Sequence, residues 1–197
     1  MRLSKIILAL GAMFVVSSIS TWAENDALTP YVSALEWPAD APVMMIAFSE
    51  ERQFPFRKFP KRFAGTMYRS PKGELAICYN SPRAMRILLN KDEILIERDG
   101  RLSPLPASSV DAGAMYDLLD GNLEMLRANW QPEARDDGFR LRPKADSLRD
   151  AVKWIDVSIV DNQVRSVAVH QSNQAIRRYE FADSRPADLA GWDPFSR

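Results

Sequence analysis

Cys78 and His170 are the only cysteine and the only histidine among 197 residues. An intramolecular disulfide, a zinc cluster and a Ser-His-Asp or Cys-His catalytic pair are therefore hard to assemble. Carboxylate chemistry remains. Glu50/Glu51, Asp92/Glu93 and Asp136/Asp137 are adjacent acids, and a hydrolase could use two carboxylates set the right distance apart by folding. Adjacent acids also read as solvated turn residues. A second chemical signal lies in residues 54–63, where Phe54, Phe56, Phe59 and Phe63 interleave with Arg57, Lys58, Lys61 and Arg62. That composition suits a membrane surface or an anionic lipid headgroup. It also reads as a connecting loop whose aromatics pack on a sheet while its cations face water, since Pro55 and Pro60 exclude a regular helix or a central strand.

The elements that must position these residues follow from periodicity. Residues 26–35 predict a short helix, with Asp26 as N-cap, Leu28, Val32 and Leu35 on one stripe, and Trp37-Pro38 ending it. The apolar run 43–48 fits either a strand or a second helix. Residues 63–69 and 75–79 alternate around Ser70-Pro71-Lys72-Gly73 as a β-hairpin. Strands follow at 86–89 and 94–98, and Asp99-Gly100 marks a turn. The period then changes: Ser109 or Asp111 can cap a helix carrying Val110, Ala114, Leu118 and Leu119, Asp120-Gly121-Asn122 stops it, and Leu123 and Leu126 begin another. Strands resume at 138–142, 153–160, 164–170 and 175–181. Residues beyond Asp183 read as a loosely held tail that Leu189, Trp192 and Phe195 could dock.

Residues 1–23 have the layout of a cleavable secretory signal: Arg2 and Lys5, an apolar run over 6–16, and a polar stretch ending Thr21-Trp22-Ala23. Residues 24–183 are expected to form one domain, followed by a tail over 184–197. No later segment approaches the ~20 apolar residues that span a bilayer. Lys plus Arg and Asp plus Glu number 26 each, a balance that argues against a nucleic-acid partner. Cys78 is expected to be buried and inert, and His170 to be a surface residue.

The order of helix, antiparallel strands, helical insertion and further strands predicts an α+β fold, one large curved antiparallel sheet with helices on one face. With that order the chain resembles the LolA-like family of periplasmic lipoprotein carriers, over roughly residues 35–181. The matching pieces are Phe48-Ser49-Glu50-Glu51-Arg52, Phe63-Ala64-Gly65-Thr66-Met67-Tyr68-Arg69-Ser70-Pro71, Leu118-Leu119-Asp120-Gly121-Asn122-Leu123 and Phe139-Arg140-Leu141-Arg142-Pro143-Lys144, followed by the terminal meander.

The resemblance implies a half-closed barrel lidded by helices, whose apolar interior holds acyl chains. Burying ~14 methylenes at ~0.8 kcal/mol each gives on the order of 10 kcal/mol without catalysis, metal or cofactor. Family carriers tie the lid with an arginine in the strand-turn segment before a proline, and Arg69 is the nearest match. It reads otherwise as a charged strand end. Strand alternation and the helix stripe nominate Met67, Leu75, Ile77, Leu88, Ile94, Ile96, Leu118, Ile155, Val157 and Val167 as cavity lining or plain core. Met44, Met45, Met85, Met115 and Met125 add adaptable apolar surface.

The expected function is a monomeric periplasmic carrier or chaperone, not an enzyme. It would take an acylated lipoprotein or glycolipid from an inner-membrane donor complex to an outer-membrane acceptor. A lipid or protein sensor on the same fold is the alternative, and a carboxylate-based envelope hydrolase a third reading.

Overall fold

The computed structural model describes residues 26–35, 41–90, 93–105, 116–119, 121 and 123–197. The expected signal over 1–23, the first positions of the predicted middle helix and Met115 lie outside them.

Twelve strands form one antiparallel sheet: β1 Met44–Gln53, β2 Lys61–Arg69, β3 Leu75–Ser81, β4 Met85–Leu89, β5 Ile94–Arg98, β6 Arg101–Pro104, β7 Trp130–Arg135, β8 Gly138–Pro143, β9 Val152–Val160, β10 Gln163–Gln171, β11 Ile176–Phe181 and β12 Arg185–Pro186. Their order is β6-β5-β4-β3-β2-β1-β11-β10-β9-β8-β7, with β12 paired to β1 beyond the end of β11. The sheet is open, because β6 and β7 are its two edges. Between them the chain crosses from edge to edge, and helical residues 116–119 (α2) and α3 Leu123–Asn129 lie on that crossing. The N-terminal helical stretch is a 3-10 turn over Thr29–Tyr31 running into α1 Val32–Leu35, and a further short helix, α4 Asp146–Arg149, precedes β9. A large unclosed antiparallel sheet with helices is the architecture expected from the sequence.

The undecided segment at 43–48 is strand β1, which lies centrally between β2 and β11. Alternation sets two faces. Ile46, Met67, Ile77, Ile87 and Ile96 stand in one cross-strand row, and the inward residues of both halves of the sheet join Leu28, Leu35, Leu118, Leu126 and Trp130 in one buried cluster. Described residues of α1, α2 and α3 thus cover one concave face. Gly65 is required there: a Cβ would stand 2.3 Å from the Cys78 carbonyl oxygen and 2.9 Å from the Phe48 ring.

Turn chemistry joins the strands. Asp99-Gly100 and Asp161-Asn162 have positive φ at both positions, as two-residue hairpins with right-handed strand twist demand. On the convex face the tail is docked. Trp192 meets Tyr68 edge-on at 5.3 Å, Arg86 Nη1 donates to the Pro194 carbonyl at 3.0 Å, and Arg197 pairs with Glu93.

Candidate functional site

The concave face contains an open apolar hollow at one end of the sheet, where β1 begins. Its volume is about 310 Å³, and its walls are Leu35 from α1, Met44 and Ile46 from β1, Leu118 and Leu119 from α2, and Val164 from β10, with Asn162 and Gln163 among the polar residues. An adjoining void of about 10 Å³ is lined by Met44, Ile46, Met67, Arg69, Leu75 and Leu119. Side chains of α1 and α2 tie these helices to their neighbours. Tyr116 Oη donates to the Gly73 carbonyl at 3.3 Å across the β2–β3 turn, and Ser33 Oγ and the Asn162 carboxamide lie 2.8 Å apart at the β9–β10 turn. Asp117 accepts from Asn129 Nδ2 at 2.9 Å and from Trp130 Nε1 at 3.3 Å, which binds α2 to the start of β7.

Of the ten nominated lining residues, Leu118 borders the hollow, and Met67 and Leu75 border the void with Arg69. Ile77, Ile96, Ile155, Val157 and Val167 are buried in the packed cluster or beside it, and Ile94 is partly buried against it. Leu88 is on the other face. It pairs with Ala76 and Leu95, out of phase with Leu75 and Ile77, and it lies near Phe195 of the docked tail. The hollow's β1 wall, Met44 and Ile46, belongs to the segment whose strand phase periodicity left open.

Farther along the concave face is a charged cluster that sequence reasoning missed. Glu50 is 1% exposed. Its Oε1 accepts from Arg52 Nε at 2.6 Å and Arg177 Nε at 2.8 Å, and its Oε2 from Arg52 Nη2 at 2.9 Å and the Tyr79 hydroxyl at 2.8 Å. The Arg52 guanidinium lies 4.1 Å over the Phe63 ring. Burial alone would raise the Glu50 carboxyl, but the Arg52 hydrogen bond and the charges of Arg177 and Arg52 outweigh it and hold the group below its ordinary 4.5. Burial, with the Glu50 charge beside it, pushes the Tyr79 phenol up to about 12. The cluster keeps a carboxylate ionised and fully bonded, which is a structural task.

Among the described residues, which exclude Asp92, the acid pairs do not converge. Glu51 points to the face opposite Glu50 and pairs with Arg62 at 3.3 Å, while Asp136 and Asp137 are exposed in the β7–β8 turn. Among the described residues no group of three or more His, Cys, Asp or Glu could hold a metal ion. Burial pushes the Cys78 thiol up to about 11, which leaves it protonated near neutral pH. His170 stacks on Trp154 at 4.5 Å, and its Nε2 lies 3.4 Å from Asp156 Oδ2. Asp156 in turn accepts a two-pronged pair from Arg140 at 2.6 and 2.9 Å. This array on the convex face replaces the plain surface histidine expected from the sequence.

The loop over residues 54–60 joins β1 to β2 at the end of the sheet opposite the hollow. Its aromatics do not all pack on the protein: Phe56 is 81% and Phe59 73% exposed.

No protein-family model and no curated protein matches the sequence. In three dimensions the chain is similar to a LolA superfamily protein from Nitrosomonas europaea, at 9% identity and a TM-score of 0.49 over 83% of this chain and 93% of that one. It is similar to a DUF1329 family protein from Desulfovibrio piger, at 9% identity and a TM-score of 0.49 over 79% and 91%. A third similar structure is the lipoprotein LppX from Mycobacterium tuberculosis, at 10% identity and a TM-score of 0.39 over 82% and 99%. No helix among the described residues is long and apolar enough to cross a membrane.

Proposed function

We propose that this chain is a non-enzymatic carrier of an acylated molecule, exported to the periplasm after loss of residues 1–23. It would seat hydrocarbon in the hollow between α1, α2 and β1. The observation that carries the reading is that hollow: about 310 Å³, open to solvent, with aliphatic and methionine walls. Its volume is at the lower end of the ~300–1,000 Å³ of small-molecule sites. It therefore takes the leading part of an acyl chain, and a longer chain requires α2 to lift from Met67 and Leu75. Cargo binding would favour that opened state in proportion to its greater affinity for it.

In this reading Arg69, which lines the adjoining void with Leu119, takes the latch role together with Tyr116. The cargo class is an acylated lipoprotein or glycolipid, passed as a monomeric complex from an inner-membrane donor to an outer-membrane acceptor, with no metal or cofactor. The filled remainder of the concave face favours a second reading, in which the same hollow holds a ligand to sense it and transfers nothing.

Native mass spectrometry of protein purified from the periplasm, followed by incubation with acceptor membranes, separates the readings. Co-purified acyl species that move to the membranes support a carrier, and species that stay bound support a sensor. Absence of any bound species under gentle isolation overturns both.

A further inference from the structure

The 54–60 loop is a shaped finger. Arg57 N donates to the Phe54 carbonyl at 3.1 Å, with Pro55 in the turn between them, and Gln53 Nε2 donates to the Phe54 and Arg57 carbonyls at 3.2 and 3.0 Å. Phe54 packs near Phe56, with ring centroids 5.9 Å apart. The turn holds Phe56 outward, Phe59 is exposed beyond it, and Arg57 and Lys58 lie beside the aromatic rings at 5.8 and 5.5 Å. Residues 54–63 carry four cations and no acid. Two large exposed aromatics ringed by cations match the two parts of an anionic bilayer surface, headgroup charge above hydrocarbon.

Charge elsewhere at the two ends of the sheet is mixed. Arg83, Arg149 and Lys153 stand at the finger end with Asp99, Asp146 and Asp150, while the turns at the opposite end carry Glu74, Glu93, Asp136, Asp137 and Asp161 with Lys72. Residues 54–63 carry cations without acids, so the finger itself orients a protein of zero formal net charge on a charged surface. The hollow lies beside Met44 and the finger follows Gln53, about 30 Å apart along β1.

We propose that residues 54–62 dock the protein on anionic lipid bilayers by inserting Phe56 and Phe59 while Arg57, Lys58, Lys61 and Arg62 engage headgroups. Docking through the finger leaves the hollow at the far end of β1 from the bilayer, so surface binding and cargo binding are separable. The inference goes beyond the carrier reading and does not rest on it.

Co-sedimentation of the full chain with mixed phosphatidylglycerol and phosphatidylcholine vesicles, against phosphatidylcholine alone, tests it. Wild-type protein is expected on the anionic vesicles only, released by salt. Replacing Arg57, Lys58, Lys61 and Arg62 with glutamine lowers partitioning on the order of a hundredfold, and F56S/F59S lowers it by about tenfold or more. Both variants keep the wild-type unfolding midpoint and any co-purified acyl species, and Val164→Phe in the hollow binds vesicles as wild type does. Equal wild-type binding to both vesicle types overturns the proposal, as does a Phe56/Phe59 variant that binds like wild type. Loss of vesicle binding in Val164→Phe overturns the separation of the two surfaces.

Discussion

Arg52 and Arg177 stand opposite one another on β1 and β11 and donate to the same oxygen, Oε1 of Glu50, at 2.6 and 2.8 Å. Two guanidinium groups directly across a strand pair repel, and the carboxylate between them turns that repulsion into a three-strand tie completed by Tyr79 of β3. Glu50→Gln removes the charge and leaves both cations half-buried. It should destabilise the fold by about 3–5 kcal/mol, whereas Tyr79→Phe should cost about 1 kcal/mol. Urea unfolding midpoints of the two variants check the ranking.

Acidification should act in two windows. The His170 imidazole is held below its ordinary 6.5, by burial first and by the Arg140 and Arg178 charges. The folded state therefore resists protonating it, and stability falls as pH drops below 6.5. Burial tends to raise Asp156, but the Arg140 hydrogen bond and charge leave it below its ordinary 3.8. Asp156 and Glu50 contribute stability that is complete above their ordinary values and is lost as pH falls through the lowered ones. Denaturation at stepped pH should show the acid loss shrinking in Glu50→Gln and the milder loss shrinking in His170→Gln.

Gly65→Ala should destabilise by about 1–3 kcal/mol or more, because the new methyl meets the Cys78 carbonyl and the Phe48 ring. The carbonyl belongs to the β2–β3 ladder and cannot swing aside. Thermal melting against a Gly100→Ala control, where nothing stands within 4 Å but φ is +74°, separates crowding from backbone strain.

Tyr116→Phe removes the hydroxyl that reaches Gly73. The expected loss is about 0.5–1.5 kcal/mol of closing free energy for α2, seen as faster amide exchange over 116–119 with exchange in β3 unchanged. Faster cargo release by the same variant would support the latch assignment.

Val164→Phe fills the hollow from β10. Bound acyl species should fall to a small fraction of wild type while stability shifts by less than about 3 kcal/mol, as native mass spectrometry and thermal melting would show.

Locally determined features were legible in the sequence. Asp99-Gly100 announces its turn because few other residues accept positive φ, and Leu75, Ile77 and Tyr79 alternate cleanly. Strand β7 was not legible, since Pro132 breaks a strand pattern and is tolerated only because β7 is an edge. Leu88 shares the face of Arg86, not that of Leu75 and Ile77; with residues 87–89 all apolar, Arg86 alone marks the phase, and a shift of one residue exchanges faces. Glu50 was masked by Glu51: side by side they look like a solvated pair, and only the phase of β1 separates them. Arg177, 127 positions from Glu50, carried no local sign of its partner.

The seam between β1 and β11 has a kinetic consequence. A nascent chain emerges with the middle of its sheet first and must wait for nearly the whole polypeptide before that strand gains its second neighbour. Pairing across so long a loop is slow, and until it closes β1 presents an unsatisfied ladder that invites association between molecules. Truncation before Ile176 should therefore yield an aggregating product instead of a smaller stable sheet, and refolding yield should fall steeply with protein concentration.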